Sequence, residues 1–230
     1  MVGLYDSSVR LMRRIFDSRI DDAPVLDAAR HFPDAARFVA NWQAIRAEAL
    51  DVAENLRNIP RFHDIMREQA DISANDARDW RMYIMKAYGV AFERNLKRCP
   101  TLASIIAQSP DVLSASFSFL APGKHIPPHH GPFRGILRGY LVLSMPLDAK
   151  GVPAATLTVD GHAHGLHEGE FMLWDDTFEH EVLNASDQVR IVLLLDVRRR
   201  RMPFDMRILS DAVILIVRLG IRLRGERIAV

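Results

Sequence analysis

Val112-Leu-Ser114-Ala-Ser116-Phe-Ser118-Phe-Leu120 is the stretch at which the chain changes character. Its serines alternate with Ala115, Phe117 and Phe119, the period-two pattern of a half-buried strand. Working downstream, residues 135–145, 155–160, 169–174, 180–184 and 188–197 read as further strands, and Ala121-Pro-Gly-Lys124 and Val159-Asp-Gly161 read as turns. Several strands at this spacing with no helices between them predict an antiparallel sandwich or barrel.

Upstream, residues 1–110 read as helical. Residues 34–58 carry the clearest 3.6-residue pattern, with Phe38, Val39, Trp42, Ile45, Leu50 and Val52 near one stripe, and Pro60 ends it. Residues 79–88 read as a second helix stopped by Gly89, and 102–108 as a third between Pro100 and Pro110. Beyond Pro203 a last helix is expected around the apolar run 212–217. The expected division is a helical buttress over 1–110, a β core over 111–200 and a basic, apolar helix over 201–230.

Length and composition set the bounds. A chain of 230 residues with 49% hydrophobic residues can bury a sizeable core and is no disordered chain. Its net charge of +1 is unevenly spread: nine arginines against Asp205, Asp211 and Glu226 give residues 198–230 a balance of +6, leaving −5 for the remainder. Cys99 is the single cysteine, so no internal disulfide forms and a reducing compartment is expected. Arginines at 10, 13, 14 and 19 interrupt the apolar residues that a signal peptide would need, and no apolar run reaches the length of a membrane span. A cytoplasmic protein is the expectation. The basic tail lacks interleaved aromatics, which argues against nucleic acid as a partner.

Two segments carry chemistry. His125-Ile-Pro-Pro-His129-His130-Gly131-Pro132 and Trp174-Asp-Asp-Thr-Phe-Glu-His180-Glu181 each place an imidazole at the edge of a strand region. Arg138 follows His129 by nine residues, and Arg190 follows His180 by ten. A guanidinium in a strand as apolar as Arg190-Ile-Val-Leu-Leu-Leu195 is costly to bury unless an anion meets it. One internal candidate for that anion is Asp196 or Glu170, giving a structural ion pair. Two arginines at matched offsets from two histidines favour another arrangement, in which the histidines hold a divalent iron and the cations hold a dicarboxylate. Strand parity puts Arg138 with Tyr140 on one face, opposite Leu137, Leu141 and Leu143, and puts Arg190 with Val192 and Leu194. Ser118 can add a hydroxyl from a neighbouring strand. Histidines 162, 164 and 167 lie in or beside a hairpin and are expected to face solvent.

These residues resemble the aspartyl/asparaginyl β-hydroxylase family of iron(II)- and 2-oxoglutarate-dependent dioxygenases. The resemblance rests on Phe117-Ser118-Phe-Leu-Ala-Pro-Gly-Lys-His125, Pro128-His129-His-Gly131-Pro132, Leu137-Arg138, Trp174 through Val182, and Arg190 through Val197. A weaker echo lies at Asn41-Trp42-Gln-Ala-Ile45-Arg46. It implies a double-stranded β-helix, or jelly-roll, that uses Fe(II), 2-oxoglutarate and O₂. It implies His129 and His180 as iron ligands, with His130 as the alternative register. Arg190 and Ser118 would hold the distal carboxylate of 2-oxoglutarate, with Arg138 near the proximal one. Tyr140 stands where the family commonly has histidine.

The acid that usually completes a two-histidine, one-carboxylate triad is absent, since Gly131 takes its place. Some family members lack it too. An open position would also suit a halogenating relative, and a barrel kept only for binding is a further alternative. The resemblance implies an aspartyl or asparaginyl side chain, or a membrane-lipid acyl chain, as substrate. Residues 80–89 are similar to the bacterial branch, which includes lipid hydroxylases. The tail, with arginines at 207, 218, 222, 224 and 227 around its apolar run, suits peripheral contact with the inner face of a membrane; the alternative is a helix docked on the barrel.

Overall fold

The structure, a computed structural model, describes residues 11–224; the arginines at 10 and 227 lie outside the described residues. Eleven strands form among the described residues: β1 (Val25–Leu26), β2 (Trp80–Ala87), β3 (Val90–Ala91), β4 (Val112–Leu120), β5 (His125–His129), β6 (Ile136–Ser144), β7 (Ala155–Val159), β8 (His162–His164), β9 (Phe171–Trp174), β10 (His180–Asn184) and β11 (Arg190–Arg198). They make a seven-stranded sheet, β1-β9-β6-β11-β4-β2-β3, facing a four-stranded one, β5-β10-β7-β8, with antiparallel pairing throughout. This is the expected double-stranded β-helix with helices on its N-terminal side.

Three apolar clusters organise it. Between the sheets lie Ile126, Tyr140, Val142, Leu157, Trp174, Val182 and Val192. On the outer face of the large sheet, Leu137, Leu141, Leu143, Leu193 and Leu195 meet Phe38, Ile45, Ala49, Val52, Leu102 and Ile105 from the helices. The alternation expected for β6 is what separates these two sets. A third cluster joins Phe16, Ile20, Phe133 and Ile136 to Met206 and Ile214 of the C-terminal helix.

The helical half departs from expectation at two places. Residues 34–58 are not one helix but Ala35–Ala40, Trp42–Ala53 and a 3₁₀ turn at Leu56–Asn58. Asn41 breaks the run because its side-chain amide donates to the Arg37 carbonyl at 2.8 Å, competing with the helical ladder. Residues 79–88 are strand β2 rather than a helix, so the large sheet begins before residue 110. Trp80 and Met82 enter the inter-sheet core while Tyr83 and Met85 enter the helix-facing core. A strand buried on both faces shows no alternation. The third helix, Pro100–Ala107, forms where expected, with Glu48 accepting from the Thr101 and Leu102 amides at its start.

The segment around His125 is also a strand. Pro127 and Pro128 can sit in β5 because it is the edge of the small sheet. The 159–161 turn joins β7 to β8 with positive φ at Asp160 (49°) and Gly161 (75°), the geometry of a two-residue hairpin.

Candidate active site

His129 closes β5, His180 opens β10, and the two are direct cross-strand partners. Their ring centroids lie 4.0 Å apart. Nδ1 of His129 lies 2.8 Å from the Pro127 carbonyl oxygen, and Nδ1 of His180 lies 2.9 Å from that of Phe178. A carbonyl only accepts, so each Nδ1 carries the proton and each Nε2 keeps a lone pair. That tautomer suits a metal ligand. Burial, then the neighbouring His129, pushes the His180 pKa down to about 2, and burial lowers that of His129 as well. Both rings are therefore neutral at neutral pH. The edge of Trp174 packs on His180 at 4.5 Å.

His130 lies at the rim of the cavity. It is exposed, its Nδ1 donates to the Thr177 carbonyl at 3.0 Å, and Arg13 approaches the same nitrogen at 3.5 Å. Histidines 162 and 167 are exposed and His164 is half-buried.

The two strand arginines differ in their partners. Arg138 lines the cavity but is an internal ion pair: it donates to Asp176 at 2.7 Å and lies 3.2 Å from Asp196. Burial opposes its charge, but Asp196 and Asp176 outweigh burial and hold its pKa above the ordinary value. Two carboxylates of the chain therefore already engage Arg138 where it lines the cavity. Arg190 is different. It is 1% exposed, its Nε and one terminal nitrogen have no hydrogen-bond partner, and no carboxylate pairs with it among the described residues. Its nearest compensation is the Tyr140 ring, 5.6 Å from the guanidinium carbon. Burial accordingly lowers the Arg190 pKa. Ser118, from β4, accepts from Trp80 Nε1 at 2.9 Å, which leaves its own hydroxyl hydrogen available. One cavity is lined by His129, His180, Ser118, Tyr140 and Arg190, with Phe62, Ile72, Ile126, Leu157, Val182 and Leu194 as apolar walls.

Asp176 was given no role by the sequence reading. Its carboxylate lies where a Cβ at residue 131 would be, so a side chain there would overlap it. Gly131 donates its amide to the Asp176 carbonyl at 2.6 Å. Burial raises the Asp176 pKa to about 6 against the pull of Arg138, and Oδ1 has no partner. The clue was the pairing of a missing side chain at 131 with the Asp175-Asp176 doublet, but only the fold brings the two together. Among the described residues no three histidine, cysteine or carboxylate side chains are grouped so that they could hold a metal ion.

The chain is thus a double-stranded β-helix whose cavity holds two facing imidazoles and an unpaired buried cation. Residues 39–200 match the Aspartyl/Asparaginyl beta-hydroxylase family, and the chain belongs to it. It is 35% identical over 179 residues to an ornithine lipid ester-linked acyl 2-hydroxylase of Rhizobium tropici, covering 78% of this chain and 62% of that one. It is 26% identical over 162 residues to the human aspartyl/asparaginyl beta-hydroxylase, covering 68% of this chain and 20% of that one. The chain thus spans under two thirds of the length of either relative. A Pseudomonas putida prolyl-4-hydroxylase structure overlaps 69% of the chain and 88% of its own, at 18% identity and a TM-score of 0.42.

Proposed function

We propose that this hydroxylase is Fe(II)- and 2-oxoglutarate-dependent and acts on the acyl chain of a membrane lipid. The observation that carries the cosubstrate reading is Arg190: a buried guanidinium with no carboxylate of its own suits one that arrives with a ligand. His129 and His180 fit the metal because each holds its Nδ1 proton on a backbone carbonyl and presents Nε2. Bound there, iron with 2-oxoglutarate and O₂ would supply the oxidising power to hydroxylate an unactivated C–H bond.

The chain's own contribution is placement and exclusion. Arg190 and the Ser118 hydroxyl orient the distal carboxylate, a charge-assisted contact made stronger by the absence of water. Phe62, stacked on Trp80 at 3.9 Å, and the apolar walls keep water from the reacting carbon. An acyl substrate is favoured because the cavity offers a second carboxylate no free cation: Arg138 is already neutralised. The identity to a lipid acyl hydroxylase supports the same choice. A halide would have to settle beside the Asp176 carboxylate, which disfavours the halogenating alternative. A barrel kept only for binding would have no use for two facing imidazoles that each present a free Nε2.

The test is anaerobic loading with Fe(II), then 2-oxoglutarate, O₂ and a bacterial lipid extract. Succinate formation and lipids gaining one oxygen atom are expected. His129→Ala should abolish both, and His130→Ala should retain them. Full activity in His129→Ala would sink the ligand assignment, and oxygen appearing only on an aspartyl or asparaginyl peptide would transfer the reading to that substrate.

A further inference from the structure

The C-terminal helix Phe204–Arg224 is apolar on two opposite sides. Its inner side is spent: Met206, Ser210 and Ile214 are buried against Phe16, Ile20, Phe133 and Ile136. Two polar bonds fix that docking, from the Ser210 hydroxyl to the Gly135 carbonyl at 3.3 Å and from Arg218 Nε to the Tyr88 carbonyl at 2.8 Å. The outer side carries Phe204 (69% exposed), Ile208 (56%), Leu215 (51%), Ile216 (69%), Leu219 (47%) and Leu223 (88%). At 100° per residue these fall within one arc, continuous along a helix of about 30 Å. A folded monomer rarely leaves a contiguous apolar surface of this kind in water.

Charge says what covers it. Both acids of the helix are already neutralised, Asp205 by Arg19 at 2.8 Å and Asp211 by Arg198. Arg207 and Arg222 border the outer arc, are exposed, and have no carboxylate partner among the described residues. The surface is therefore apolar with an uncompensated cationic border, the pattern of a helix lying in a membrane interface. It is not a span, because no described helix is long and apolar enough to cross a bilayer.

The helical residues 11–17 link the C-terminal helix to the cavity lining. Arg19, which pairs with Asp205, lies just beyond the helical residues 11–17, and Arg13 of that helix touches cavity-lining His130 and donates to the Thr177 carbonyl at 3.2 Å. Leu11 of the same helix is 61% exposed.

We propose that the outer face of Phe204–Arg224 docks the protein on an anionic lipid bilayer, so that acyl chains are drawn from the membrane into the neighbouring cavity. Docking rests on the lipid-acyl reading for its purpose, while the apolar arc and its arginines stand without it.

The experiment floats the full chain, without iron, on phosphatidylcholine vesicles with or without phosphatidylglycerol at low salt. Binding is expected only with phosphatidylglycerol. Ile216→Glu should weaken it about tenfold or more, and Arg207→Glu with Arg222→Glu should do the same. Both sets change exposed side chains, so the unfolding temperature and lipid-free 2-oxoglutarate consumption should stay at wild-type values. Intact protein left unbound at low salt overturns the proposal, as does equal binding by Ile216→Glu. A solution dimer that Ile216→Glu dissolves would assign the face to a second copy instead. Vesicle binding without any iron-dependent turnover would keep the docking surface and reject the hydroxylase reading; turnover without binding would do the reverse.

Discussion

Arg190 sits in the protein as an uncompensated charge, and replacing it separates its cost from its use. The folded chain holds a guanidinium at 1% exposure with only an aromatic face nearby. Arg190→Met removes that charge while keeping most of the volume. It should therefore stabilise the ligand-free protein, by about 1–4 kcal/mol, while raising the 2-oxoglutarate requirement at least tenfold. Thermal unfolding with iron, across a range of 2-oxoglutarate concentrations, checks this: the cosubstrate should raise the variant's midpoint only at concentrations at least tenfold above those that raise the wild type's. A lower midpoint in ligand-free Arg190→Met would mean that the cation has a structural partner after all. Nothing local in the chain distinguishes Arg190 from Arg138, because the anions that hold Arg138 come from elsewhere. Asp196 reaches it through the β6–β11 register, and Asp176 from a turn 38 residues away.

At the level of elements, the β5–β10 pair makes the site depend on pH. The unfolded His180 titrates near 6.5, whereas burial and His129 hold the folded group at about 2. Above 6.5 neither state takes the proton and the group is neutral toward stability. Between 6.5 and 2 the unfolded state binds a proton that the folded state refuses, so stability falls as pH falls, by up to about 3 kcal/mol at pH 4.5. Urea midpoints of metal-free protein from pH 7.5 to 4.5 should show this slope, and His180→Gln should flatten it. The strands that build this pair were unequally legible. β10 was readable to the residue, because its surroundings alternate and end in turn residues. β5 was hidden by Pro127 and Pro128, which only an edge position tolerates, and β2 by having two buried faces.

Across the whole molecule, a buried ionic web ties the ends of the chain to the site. Asp175 is fully buried and is held by Arg134 at 2.9 Å and by Arg199, while Arg134 also meets Asp17 at 2.8 Å and Arg199 also meets Asp22. Asp175 also accepts from the Thr177 amide at 3.1 Å, fixing the turn that leads to His180. Asp175→Ala would leave two buried guanidinium groups short of a partner and should cost about 3–5 kcal/mol, with iron binding lost in step. Calorimetry and iron titration of the same samples check it, and an unchanged unfolding temperature would show the web to be dispensable. No local pattern announces such a web, since its members are spread from residue 17 to residue 199. The barrel is a different matter: period-two alternation and turn chemistry act over a few residues, which is why β4, β6, β7, β9, β10 and β11 could be read directly.

The helix Phe204–Arg224 leaves the ribosome after every strand of the barrel has been made, and must find Phe16 and Ile20, which precede all of those strands. Its attachment is thus a late event in folding, with a long loop to close. Because either side of the helix is oily enough to stick, hydrophobicity alone does not say which way round it should land. The orientation is written in Ser210 and Arg218, whose bonds to Gly135 and Tyr88 can form in only one rotation. Two polar side chains on an apolar helix thereby decide which face the finished molecule keeps for itself and which it shows to the outside.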